Sequence, residues 1–591
     1  MSLEFWVKTI FLQISWAFKS AFFWMFSTDK HLLIICAALS VLSLSMNWQG
    51  SIFVLNAPHD SLKYIEMAQT VVEGRWLGDY DHMALIRSPM YPLLLSLNSL
   101  AGSRLHILQY GLYLFSIALL SISFRMLDVA RWRVAVIFSL CAFHPLTILP
   151  AFCVATESLY VPAVTAVVAG CLGILGSVYK ESRFNYLFWL LVLSFSLSVF
   201  WFTRPEGVWI LPFMVICFGF LIWRHRRGFR NCRIKILVAV LIPLLILIFV
   251  SNYLRGKNKK YYNVDVIHEL AEPNFRMALS WLTRVTPESH RPYVPITKKA
   301  MAAAYRESEH FKLLRPYLSR QTNGQGWAKF GCEWMGICDE LLGGWTMWAI
   351  RDAVASIGGH ATAEKAKAFY GAIATEIREA CEDGRLNCSS NPTGNLHAPP
   401  LIWSYLPRIG SSVFKMVSML INMGNFTGSV APVDQGGETK RLVAQYELIT
   451  HDQRPFEGLH FSRFYLITYK GLQLGGGLLV LSVLLISLRG KRVRECSGHG
   501  IWEHHVYDKM IIFCLLVLIA SRVVLIGYLD AISFWTLPRY LMPIYPCLMA
   551  LIGLVVPEFK SIWNLAHHKF VRVDAKGNLE TVRKIEKHGK P

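Results

Sequence analysis

Ten apolar runs, each long enough to cross a bilayer, decide what this chain can fold into. They lie at about 31–55, 105–124, 133–152, 158–178, 186–202, 207–223, 236–253, 465–488, 510–529 and 533–557. A hydrocarbon core about 30 Å thick takes roughly 20 residues of helix. Lipid offers no hydrogen-bond partners, so each spanning segment must satisfy its own backbone. The expected class is mainly α: a polytopic membrane protein of about ten transmembrane helices. An apolar share of 54% over 591 residues agrees with this and excludes an ordinary soluble protein of that length.

The net charge of +21 invites a nucleic-acid reading, but its distribution argues against one. Arg224 to Lys235 carries six basic residues, Arg489 to Arg494 four, and the tail after Phe559 eight. Lysine and arginine collect on the cytoplasmic side of membrane proteins. Ten spans with these segments inside put both termini in the cytoplasm, expected at a bacterial inner membrane. No nucleic-acid partner is expected. Before the first span, Lys8, Thr9, Gln13, Ser15, Lys19 and Ser20 share one helical arc, and Ile10, Phe11, Ile14, Ala17 and Phe18 the opposite one. That pattern predicts an interfacial helix rather than a cleaved signal.

Four parts follow: a transmembrane module over 1–253 with an outer loop at 56–104, an extracytoplasmic insertion over 254–464, a second transmembrane module over 465–558, and a basic tail over 559–591. The insertion reads as mostly helical, with Gly358-Gly359 as a break. Of the 13 cysteines, four (Cys332, Cys338, Cys381, Cys388) fall inside it. An even number in an oxidising compartment suggests disulfides. Three connectivities are open, with local pairing of 332 to 338 and 381 to 388 expected.

The stretch HDSLKYIEMAQTVVEGRWLGDYDHMALIRSPMYP (His59 to Pro92) places carboxylates and an arginine directly after the first span. Asp60 suits a general base, its behaviour set by His59, Lys63 or an arginine; it equally suits a helix N-cap. Asp79, Asp81 and His82 are residue types that hold a divalent cation, and are as well read as a solvated turn. Arg87 suits either a phosphate clamp or a side chain snorkelling to lipid headgroups. Glu157, Arg204, Glu206, Arg539 and Tyr540 all map to helix ends on that same side. Arg522 lies within the ninth span, where an ionisable group requires a cavity or a partner. His144, beside Pro145, is expected to mark a kink in the third span.

Taken together, these residues resemble the GT-C glycosyltransferases, polytopic enzymes that use polyprenyl-phosphate sugars, of the protein mannosyltransferase and aminoarabinose transferase kind. HDSLKYIEMAQ with RSPMYP resembles the superfamily's first outer loop, with Asp60 and Tyr64 in D-x-x-x-Y-x-x-x-A and Arg87 and Tyr91 in R-x-P-x-Y-P. ATESLYVP (Glu157), FTRPEG (Arg204, Glu206) and LPRYLMPIYP (Arg539, Tyr540) are similar to its later elements. The resemblance covers about 380 residues and leaves the insertion without a counterpart. It implies inverting transfer of a sugar to an extracytoplasmic glycan, lipid or protein, with Asp60 as base and Arg87, Arg204, Arg522 or Arg539 neutralising the departing phosphate. His59, Tyr64, Asp79, Asp81, Tyr91, Glu157, Glu206 and Tyr540 would line the substrate site. A lone Asp60, where some members carry adjacent acids, makes a divalent metal the less favoured option, and no other cofactor is expected. Alternatives are a lipid-linked glycan polymerase or ligase, and a lipid-linked sugar transporter or flippase. Transporters usually show repeated halves, and none is visible.

Overall fold

The computed structural model describes residues 26–52, 58–224, 230–286, 291–321, 324–389, 403–426, 429–430, 446–451, 459–488, 499–533 and 536–556. The expected interfacial helix before residue 26, the 489–494 loop and the tail lie outside these, as do five residues of the 224–235 loop. Among the described residues nine helices are long and apolar enough to cross a membrane, or ten if one bent pair counts as a single span. The protein is mainly helical and polytopic, as its apolar runs require. Strand content among the described residues is one two-residue pair, Ser429–Val430 against Leu459–His460.

The bent pair is the third span. Arg131–Ala142 and Pro145–Phe152 meet at 63°. Proline disfavours helical backbone in the residue before it, and His144 is accordingly extended, at φ −73° and ψ 123°. Its ring is buried against Tyr469 and Tyr545 and bonds Gln473 at 2.8 Å.

The Glu157–Tyr179 helix sits at the centre of the bundle. Gly170, Gly173 and Gly176 let its neighbours approach at backbone distance. A β-carbon at Gly170 would lie 2.9 Å from the Leu193 backbone, and one at Gly173 only 2.0 Å from the Trp189 ring. Helices in lipid gain little from hydrophobic burial and associate instead through such close packing. Glu157 therefore stands at the end of the most tightly held helix in the molecule.

The first outer loop folds as two short helices, Lys63–Val72 and Met90–Ala101, matching its apolar spacing. Its support was not expected. The helix Arg230–Tyr262 continues nine residues past the seventh predicted span, and its end carries the loop: Trp76 donates to Asn258 at 2.8 Å and stacks on Tyr261, and Tyr262 donates to the Gly78 carbonyl at 2.9 Å. Lysines and tyrosines at 257–262 end the apolar run without ending the helix, because their side chains find partners on the loop.

The insertion contributes to more than one core. Residues 275–386 form their own, built on Pro273–Arg284, Lys298–Glu307, Gly343–Ser356 and Ala363–Glu382. Disulfides Cys332–Cys338 and Cys381–Cys388 close two loops at its edge in the expected local pairing. By contrast, Leu406–Ile421 packs on the membrane helix His499–Ile532, where a β-carbon at Gly527 would meet the Val413 backbone at 2.9 Å and Lys415 pairs with Asp530 at 2.9 Å. Its other face carries Phe414, 74% exposed.

Two histidines, His360 buried and His268 half-buried, lie at the seam between the insertion and the first loop. His360 lies between the hydroxyls of Tyr80 (3.2 Å) and Tyr370 (3.0 Å). Burial, then Arg351 and His82, push its pKa down to about 2, and burial lowers that of His268 to about 4. Both are depressed below the unfolded value near 6.5, so the unfolded chain binds more protons below that pH. Their stabilising contribution is complete above about pH 6.5 and falls by up to about 1.4 kcal/mol per pH unit per histidine as the medium acidifies. Thermal unfolding followed between pH 7.5 and 5 should show a falling Tm, and His360→Gln should flatten that slope. An unchanged slope would show that the seam stays closed through the transition.

Candidate functional site

Asp60 stands in a single π-type turn, Pro58–Leu62, directly before the Lys63–Val72 helix. Inside the turn, Ser61 donates to the Val154 carbonyl at 2.6 Å. The hydroxyl of Tyr91 accepts from the Ala155 N–H at 3.1 Å and donates to Gln109 at 2.9 Å. These buried bonds fasten the first loop to the turn from which the Glu157 helix starts. The capping role open to Asp60 is not the one it takes. The turn moves the start of regular helix to Lys63, the N-cap position falls on Leu62, and no side chain caps it. Among the described residues the Asp60 carboxylate meets Arg87 instead, Nη2 to Oδ1 at 2.7 Å. The Arg87 guanidinium also lies 5.8 Å from the Tyr64 ring and 5.3 Å from that of Trp348, so it points into protein rather than to headgroups.

A second group of charges adjoins this pair. Arg204 bridges two carboxylates, reaching Glu157 at 2.9 Å through Nη1 and Glu206 at 2.8 Å through Nε. Arg539 approaches Glu157 at 3.8 Å, and Arg522 approaches Glu206 at 3.5 Å. Arg522 is fully buried, donates through Nε to the Tyr540 carbonyl at 3.0 Å, and has no hydrogen-bond partner for Nη1 among the described residues. Aromatic rings complete the surround: Tyr160 and Tyr540 within 6 Å of Arg204, and Tyr160 and Trp209 within 6 Å of Arg522. Burial works against the charge on Glu206, but Arg204 and Arg522 outweigh it and hold the carboxyl below its ordinary range. Burial likewise opposes the charge on Arg204, and Glu206 and Glu157 overcome it.

The two groups share one field. The Tyr64 hydroxyl, pushed up to about 12 by burial, is acted on by Arg87, Asp60, Arg204 and Glu157 together. Asp60 acts on Arg539 as well. Four guanidinium groups thus face three carboxylates, an excess of one positive charge. The Asp60 and Arg539 side chains remain 30% and 33% exposed, so a ligand can reach both. The site can accept a proton at Asp60 and hold an added anion beside the arginines.

No family model matches the sequence, and no curated protein matches it. Among solved structures the chain is similar to ArnT from Cupriavidus metallidurans in the apo state. The two are 11% identical, and the match covers 89% of this chain and 77% of that one, with a TM-score of 0.27. A superposition that loose carries no argument.

Of the residues expected at the site, Asp60, Tyr64, Arg87, Tyr91, Glu157, Arg204, Glu206, Arg522, Arg539 and Tyr540 are brought together. Asp79 is exposed, and Asp81 is committed elsewhere, accepting from Lys63 at 2.8 Å and from the Met83 N–H at 2.7 Å. Burial raises the Asp81 pKa, and Lys63 more than reverses that. The His59 side chain lies outside the described residues. No three His, Cys, Asp or Glu residues are grouped to hold a metal ion among the described residues. Sequence reasoning overlooked Tyr160, Trp209 and Trp348. The first two adjoin Glu157 and Glu206 in the chain, a signal that was available. Trp348 belongs to the insertion and carried none.

Proposed function

We propose that this protein is an integral-membrane glycosyltransferase of the GT-C kind. It would move a sugar from a polyprenyl-phosphate donor to a glycan, lipid or protein acceptor on the extracytoplasmic face, with inversion. The supporting observation is the junction of a reachable carboxylate, Asp60, with an arginine-rich cluster at one end of the bundle. Asp60 takes the proton from the acceptor hydroxyl or amine as that atom bonds to the anomeric carbon. The bond from that carbon to the phosphate oxygen breaks on the opposite face, and the polyprenyl phosphate leaves as an anion. Arg204, Arg522 and Arg539 supply fixed positive charge for it in a partly desolvated site, where preorganised charge is most effective. Arg87 orients Asp60. The two disulfides suit an oxidising, extracytoplasmic compartment.

The purified protein in lipid nanodiscs tests this. It should consume a polyprenyl-monophosphate sugar and release polyprenyl phosphate. Consumption of a polyprenyl-diphosphate-linked oligosaccharide instead would identify a polymerase or ligase, and turnover of neither would remove the enzymatic reading.

A further inference from the structure

One helix of the insertion touches two of the chain segments that carry the candidate site. At its start, Gly343 (φ +30°) lies so close to the turn after His499–Ile532 that a β-carbon there would sit 1.9 Å from the Ser533 carbonyl oxygen. That turn, closed by Asp530 accepting from the Thr536 N–H at 3.1 Å and its hydroxyl at 2.8 Å, leads directly to Arg539 and Tyr540. Further along, Arg351 donates to the His82 carbonyl at 2.9 Å through Nε and pairs with Glu269. Asp352 meets the His82 ring at 3.2 Å. These contacts hold His82, and the Glu269 N–H donates to the Leu85 carbonyl at 2.9 Å, so the insertion holds the stretch that leads to Arg87.

Between these anchors stands Trp348, with the Arg87 guanidinium 5.3 Å from its ring. The indole is held in turn by Trp327, stacked at 6.3 Å and 16° and fixed by donation to Asp352 at 2.8 Å. An arginine side chain has many rotamers, and besides the 2.7 Å bond to Asp60 the rings of Trp348 and Tyr64 bear on which one Arg87 takes. A ring of fixed position restricts that choice through its negative face.

We propose that Trp348 is a positioning residue, acting through Arg87: it fixes the guanidinium so that Arg87 holds Oδ1 of Asp60 and leaves Oδ2 to receive the acceptor proton. The insertion then contributes to catalysis without touching substrate. The role in transfer rests on the functional reading above; the placement of Arg87 does not.

The test uses the full-length protein with three substitutions: Trp348→Ala, Trp348→Leu, which keeps apolar volume without the ring, and Trp348→Phe, which keeps a ring. The first readout is modification of individual arginines by phenylglyoxal, followed by peptide mass spectrometry. Arg87 should react several-fold faster in the Ala and Leu variants and near the wild-type rate in Phe. Arg204, shielded by Tyr160 and Tyr540, should not change. For transfer, kcat should fall about tenfold in Ala and Leu, the size of one desolvated cation–π contact, with donor KM within about twofold and with recovery in Phe. Unchanged Arg87 labelling overturns the proposal, as does faster labelling with an unchanged kcat. If wild-type protein transfers no sugar, the functional reading fails by itself, and the labelling still decides whether Trp348 places Arg87.

Discussion

Asp60→Asn is expected to lower sugar transfer by about three orders of magnitude while the protein remains folded. A positioned general base contributes roughly 10²- to 10⁴-fold, and an amide keeps the shape of the carboxylate without accepting a proton from the acceptor. The fold should tolerate the change. Asp60 caps no helix and its side chain is 30% exposed, so the lost contact with Arg87 is a half-solvated pair, worth little to stability. Activity measured beside thermal unfolding separates the two effects. Turnover at the wild-type rate in a folded Asp60→Asn protein would exclude Asp60 as base.

Arg204→Met should have the largest effect on stability. The guanidinium joins Glu157 and Glu206, and the Glu157 side chain is only 7% exposed. Removing one partner of a buried pair costs about 3–5 kcal/mol, and Arg539, 3.8 Å from Glu157, offsets only part of it. Unfolding should therefore occur at a distinctly lower temperature. Adding Glu157→Gln removes the stranded charge, and Glu206 keeps Arg522 at 3.5 Å, so the double variant should regain most of that stability. Transfer should stay low in both, because the charge opposite the leaving phosphate is still missing. Recovery of activity together with stability would make Arg204 purely structural.

The membrane fold was legible because lipid enforces a simple rule on length and polarity, and the helices that cross it obey that rule run by run. Where a helix end is set by contacts rather than by hydropathy, legibility stops. Arg230–Tyr262 outlasts its apolar run because Asn258, Tyr261 and Tyr262 bind the first loop. Leu406–Ile421 joins the membrane core despite lying in the insertion. At the site, the charged residues were visible because charge beside apolar spans is rare. The pairing of Asp60 with Arg87 was not, since it depends on a π-type turn that no spacing announces. Trp348 was hidden for another reason. One tryptophan among the several of a soluble core looks like packing until its neighbour across the seam is known.

Arg351 has a further consequence. Its fully buried guanidinium pairs with Glu269 inside the insertion and donates to the carbonyl of His82 on the first loop. To swing the insertion aside as a hinged lid, the protein would have to break the bond from that buried charge to the loop carbonyl, at about 1.5–3 kcal/mol. On the proposed function, donor and acceptor would then come and go with the insertion seated on the first loop.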